Sequence, residues 1–144
     1  MGLVTWTAVF TQHDIVEPQA DIEGSINGFI GAELQRQLHS HLAGNGWAFC
    51  EAFPEDHGWH STGLVPGETD KIVVSLVTIP ELDEATPDGR ALDGRWRVVI
   101  GVDTGWFGRR EAQRIGHLKR LAGAVNAACL AIGAVDLEWE VGAP

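Results

Sequence analysis

The residues best equipped for chemistry lie in one short run, Ala52-Phe53-Pro54-Glu55-Asp56-His57-Gly58-Trp59-His60. It sets two carboxylates, two imidazoles and an indole around a glycine, directly after an apolar strand-like segment. General acid–base work needs a group that titrates near neutrality. His57 or His60 could supply it, with Glu55 or Asp56 orienting the ring. The complementary half of such a site is missing. Ser61 and Thr62 follow, but no G-x-S-x-G elbow surrounds them. As a metal site, His57-x-x-His60 with Glu55 or Asp56 falls short of the usual ligand sets, and only the distant His13-Asp14 could complete it. The same residues also make a hydrogen-bonded turn: Asp56 accepts backbone N–H groups, Gly58 takes a positive φ, and Trp59 covers the core edge.

A second constellation is Gly105-Trp106-Phe107-Gly108-Arg109-Arg110, which opens the last predicted helix. Free N–H groups, close approach at glycine and two guanidinium forks would suit an anion or an acidic peptide. Alternatively, Arg109 and Arg110 pair with the abundant carboxylates. A third is Arg95 and Arg97 against Asp136, Glu138 and Glu140. Adjacent strands would pair these charges on an open sheet face. Separated strands would give a basic and an acidic stripe suited to a protein partner. His39, His41 and His117 read as surface or helix-packing residues.

The elements that must position these groups follow from periodicity. Val4, Trp6, Ala8 and Phe10 alternate with threonines, as in a strand. Gln12 to Glu23 reads as a loop. A helix then carries the stripe Ile26, Phe29, Ile30, Leu34, Leu38, Leu42, with Asn27, Gln35, Arg36 and His39 opposite. Ser25 caps its start and Gly44-Asn45-Gly46 ends it. Gly24, Gly28 and Gly31 weaken its first half, which points to a later start or a close backbone approach. Strands are predicted at 47–53, 59–65, 71–79 and 96–102, and an acidic loop over 81–94. A second helix over about 108–132 buries Ile115, Leu118, Leu121, Ala122, Val125, Cys129 and Ile132. Beside that stripe, Ala112, Gly116, Gly123 and Ala127 predict close helix packing. Val135 to Val141 is the last strand.

This order, β-α-β-β-β-β-α-β, predicts a single α+β domain over residues 1–144. Its architecture is a two-layer sandwich with a mainly antiparallel sheet and two helices packed on one face. The strand–helix units at the two ends are similar to the split βαβ arrangement of ferredoxin-like folds.

The 144 residues carry a formal net charge of −10. Residues 1–88 hold 14 acidic and 2 basic side chains, and residues 89–144 hold 6 and 8. Such a domain repels nucleic-acid backbones. No stretch approaches a membrane span. Cys50 and Cys129 match no metal spacing and read as buried free thiols in a cytoplasmic protein.

Around Pro54-Glu55-Asp56-His57-Gly58-Trp59 the chain resembles a family of small bacterial α+β proteins with a Glu-Asp-x-Gly-Trp motif, in which Trp is commoner at the place of His57. Gly46-Trp47, Arg95-Trp96 and Asp136-Leu137-Glu138-Trp139 fall in similar places. The resemblance spans roughly residues 26–140. It implies an α+β fold and no activity.

The resulting expectation is a small acidic protein-binding module, such as an inhibitor or immunity-type protein acting on a basic partner. Its binding residues are Glu55, Asp56, His57, Trp59, His60, Trp106, Arg109 and Arg110. No catalytic residue, metal ligand or cofactor is assigned, and an open sheet face would also admit a homodimer. The rival readings are a small metal-dependent hydrolase or other enzyme built on Glu55–His60, and a small-anion-binding domain built on Gly105–Arg110.

Overall fold

The computed structural model describes residues 3–68, 72–103 and 111–141. They form an α+β fold with a seven-stranded antiparallel sheet and three helices. The strands are β1 (Leu3–Thr11), β2 (Ala48–Phe49), β3 (Phe53–Glu55), β4 (Gly58–Leu64), β5 (Val73–Pro80), β6 (Arg95–Asp103) and β7 (Val135–Val141). The helices are α1 (Gln19–Gly24), α2 (Ala32–Ala43) and α3 (Glu111–Ala131). The sheet order is β2-β4-β5-β6-β1-β7, and β3 also pairs with β4. β6 and β7 flank β1, each antiparallel to it. They are therefore parallel to each other, and β6-α3-β7 is a split βαβ unit with β1 inserted. The unit from β1 through α2 is not, because α2 leads to the far edge of the sheet.

Period-two alternation assigns each strand residue to a layer. Val4, Trp6, Ala8 and Phe10 of β1, Trp96, Val98, Ile100 and Val102 of β6, and Val74 and Leu76 of β5 turn toward the helices. Leu34, Leu38 and Leu42 of α2 and Leu118, Leu121, Val125 and Cys129 of α3 close on them. The Trp139 indole N–H donates to Asn126 Oδ1 at 2.9 Å, which ties β7 to α3. Among the described residues, no helix packs on the opposite sheet face.

Several elements differ from the periodic pattern. Part of the predicted 12–23 loop is the short helix α1. The helix predicted from Ile26 begins at Ala32, because Asn27, Gly28 and Gly31 all adopt positive φ. Ser25 does not cap α2; its hydroxyl donates to Ile22 O at 2.6 Å and closes α1 instead. An added Cβ on Gly31 would lie 2.4 Å from Thr78 O. The weak glycine region thus reflects both a late start and a close backbone approach. The predicted 47–53 strand divides into β2 and β3, and Cys50 between them is exposed rather than buried. Ala112, Gly116, Gly123 and Ala127 are exposed on α3, and an added Cβ on Gly116 or Gly123 would meet nothing within 4 Å among the described residues. Gln35 is fully buried, on the helix face that packs against the sheet.

Candidate functional site

The Glu55–His60 run is the β3–β4 hairpin. Glu55 pairs with Gly58 across a two-residue connection, Asp56-His57, and Glu55, Asp56 and His57 are exposed. Gly58 has φ +120°, and a Cβ there would stand 2.6 Å from Thr78 O. Only glycine lets β4 enter so close to β5.

From this point the run splits between the two faces of the sheet. Trp59 turns to the helix side and is buried, and its indole N–H donates to Phe29 O at 3.0 Å. It is a core residue rather than part of a binding surface. Its carbonyl accepts from Gln35 Nε2 at 2.8 Å, and that amide also reaches Thr78 Oγ1 at 3.0 Å. Thr78 Oγ1 donates to Gly31 O at 2.7 Å. Beside this knot the buried Glu17 carboxylate caps α2 from a distance. Its Oε2 accepts from the N–H groups of Gly31 at 2.8 Å and Ala32 at 2.9 Å, and its Oε1 from that of Glu33 at 2.8 Å. Burial outweighs these bonds and holds the Glu17 carboxyl above its usual range. Gly58-Trp59 therefore serves mainly to seat the start of α2 on β4 and β5.

His60 points to the uncovered face. Its ring lies 6.2 Å from that of Phe53, tilted by 30°. Burial pushes its pKa down, while Glu55 raises it and His57 lowers it further. Its Nε2 is buried and meets no hydrogen-bond partner among the described residues. Glu55, His57 and His60 share one electrostatic neighbourhood, which Trp59 leaves. No group of three His, Cys, Asp or Glu side chains among the described residues converges as a metal site.

Ser61, next in the chain, is fully buried under α2, and its Oγ lies 2.9 Å from His39 Nε2. The His39 ring stacks on Phe49 at 5.4 Å and 15°, and burial lowers its pKa. A serine and an imidazole in contact resemble an activated nucleophile, but Ser61 offers no surface for a substrate to reach. His39 is a helix-packing residue. Its predicted place opposite the leucine stripe gave no signal for this contact.

Trp106, Arg109 and Arg110 lie outside the described residues. Arg95 and Arg97 do not adjoin the β7 carboxylates, because β1 intervenes. Arg95 binds Glu81 Oε2 through Nε at 3.0 Å and Nη2 at 2.7 Å, and Thr11 Oγ1 through Nη1 at 2.9 Å. Arg97 Nη2 reaches Asp83 Oδ1 at 3.1 Å. Both arginines are therefore neutralised by the 81–94 loop, which the sequence left without a role.

His60, Val77 and Val99 are half-buried and pair in a row across β4, β5 and β6 on the uncovered face, while Val9 pairs with Arg97 and Glu138. Phe53 continues this row beside His60, and the pair Leu64–Val73 forms a second apolar patch beyond the polar pair Thr62–Ser75; Phe53, Leu64 and Val73 are 40–48% exposed. Glu55 and Asp56 border it at one side, Glu138 and Glu140 at the other. None of these four makes an ion pair among the described residues.

No family model matches the chain, and no curated protein matches it. No described helix is long and apolar enough to cross a membrane.

Proposed function

We propose that this protein is a small acidic binding module whose uncovered sheet face receives a basic protein partner. The observation that supports the reading is an apolar row on an unlayered sheet, bordered on both sides by carboxylates. An antiparallel sheet commonly leaves one face to water, but that face is then polar. Here Phe53, Leu64, Val73, Val77 and Val99 share it with Thr5, Thr7, Thr62, Ser75, Arg95 and Arg97. Contiguous exposed apolar surface framed by polar residues marks an interaction site. Its size suits that role. Five strand spacings of ~4.8 Å and strands of about seven residues give a whole face of roughly 500–600 Å², about two thirds of the ~800 Å² that one partner buries in a standard interface. The carboxylate border supplies sign selectivity and electrostatic steering.

Partner capture with the immobilised protein tests this reading, using two surface variants as controls. Leu64→Lys and the pair Glu138→Lys/Glu140→Lys alter exposed positions, where folding is little affected. A basic partner should be retained by the native chain, lost from both variants, and released progressively as salt rises. Retention that ignores salt and both variants would refute the proposal.

A further inference from the structure

A cleft of about 390 Å³ lies on the helix side of the fold, between the β4–β5 connection and the first half of α3. Its volume falls in the range of small-ligand pockets. Glu68, Ile72, Gln113, Gly116, His117 and Arg120 line it. Ile72 is a buried apolar floor. Gly116 opens the space, since an added Cβ would meet nothing within 4 Å.

Two cationic or donor groups face this volume, and other contacts position Arg120. The Arg120 guanidinium lies over the Trp47 ring, 5.8 Å from its centroid, and Nη2 reaches Pro66 O at 3.4 Å. His117 is largely buried, with 13% of its side chain exposed. The Glu68 carboxylate approaches both, at 3.8 Å from His117 Nδ1 and 3.8 Å from Arg120 Nη1. These distances are too long for hydrogen bonds. By contrast, Arg36, Arg90, Arg95 and Arg97 each sit within 3.1 Å of a carboxylate. Glu68 thus occupies the place of a carboxylate without closing on either donor.

We propose that this cleft binds a small organic carboxylate, which displaces Glu68 from Arg120 and His117. A ligand free to choose its position can close both contacts to ~2.8 Å, bidentate on the guanidinium. Its apolar body would lie over Ile72 and the bare backbone at Gly116. Gln113 offers a side-chain amide at the rim.

The test is amide-resolved NMR titration of the full chain with benzoate, and separately with inorganic phosphate. Benzoate should give saturable shifts at Gln113, Gly116 and His117. Gly116→Leu fills the cleft from a helical position with open space and should abolish them while the thermal midpoint holds or rises. Arg120→Gln should weaken binding about tenfold, the loss of one charge-assisted pair. Glu68→Gln removes the internal competitor and should tighten binding, by about threefold or more. Shifts that persist in Gly116→Leu, weaker binding in Glu68→Gln, or a response to phosphate without one to benzoate would each overturn the proposal.

Discussion

Replacing Glu17 by Ala should destabilise the protein more than any ordinary cap substitution. The carboxylate accepts from three backbone N–H groups at the start of α2, and Glu17 is only 3% exposed. An orphaned buried donor costs ~1–3 kcal/mol, so three set a ceiling near ~9 kcal/mol. Water entering the vacated space lowers that figure. The loss of a single cap, ~0.5–2 kcal/mol, sets the floor. The expected loss is ~3 kcal/mol. At a urea slope of ~2 kcal/mol per M, the unfolding midpoint followed by tryptophan fluorescence should fall by about 1.5 M. Glu17→Gln keeps one carbonyl oxygen for Gly31 and Ala32 but turns an amide toward the Glu33 N–H. It should lose roughly half as much. Hydrogen exchange should speed selectively at Gly31, Ala32 and Glu33. A loss below ~1 kcal/mol, or exchange unchanged at those amides, would refute the distal cap.

The same residue gives a pH test. Because burial holds its carboxyl above the ordinary 4.5, the folded chain takes up this proton at higher pH than the unfolded chain. Its contribution is fully present below 4.5 and declines as pH rises through the raised value. The Glu17→Gln penalty should therefore shrink with rising pH across that window in urea titrations. A growing penalty would mean that the three N–H bonds outweigh burial. Gly31→Ala and Gly58→Ala should each cost ~2–4 kcal/mol, through strain and overlap with Thr78 O. Gly123→Ala, in open space on α3, should be neutral or stabilising by up to ~1 kcal/mol, and equal urea midpoints for all three would contradict the close approach. In the native protein Cys50 should react promptly with a thiol reagent. Cys129, buried and pushed up to about 12, should react only on unfolding, and simultaneous labelling would show that α3 opens readily.

The fold class was legible because local periodicity carries it. Threonine alternation defined β1, the leucine stripe defined the body of α2, and the long apolar pattern defined α3. The short links from β3 to β4 and from β4 to β5 favoured antiparallel pairing. What failed was local punctuation whose meaning depends on distant atoms. Ser25 is a sound N-cap residue, yet the chain turns at Asn27 and Gly28, and a carboxylate from Glu17 takes over the cap. Gln35 looks like a solvated polar position until Trp59 O and Thr78 Oγ1 arrive to receive its amide. The expected close packing at Gly116 and Gly123 needed knowledge of which α3 face meets α2, and residue size alone does not give that.

The Glu55–His60 run shows where the division falls. Composition and spacing alone offered a polar turn with a positive φ at Gly58, because glycine and short polar residues favour such turns whatever surrounds them. Its division between a buried Gly58-Trp59 pair and a half-buried His60 on the uncovered face was fixed only when β4 took its register on β5. Pairing Trp59 with Thr78 and His60 with Val77 sends alternate side chains to opposite faces. Likewise, the chain itself specified the charges of Arg95, Arg97, Glu138 and Glu140. Insertion of β1 between β6 and β7 kept those charges apart, because strand order is set by long-range pairing that no local pattern encodes.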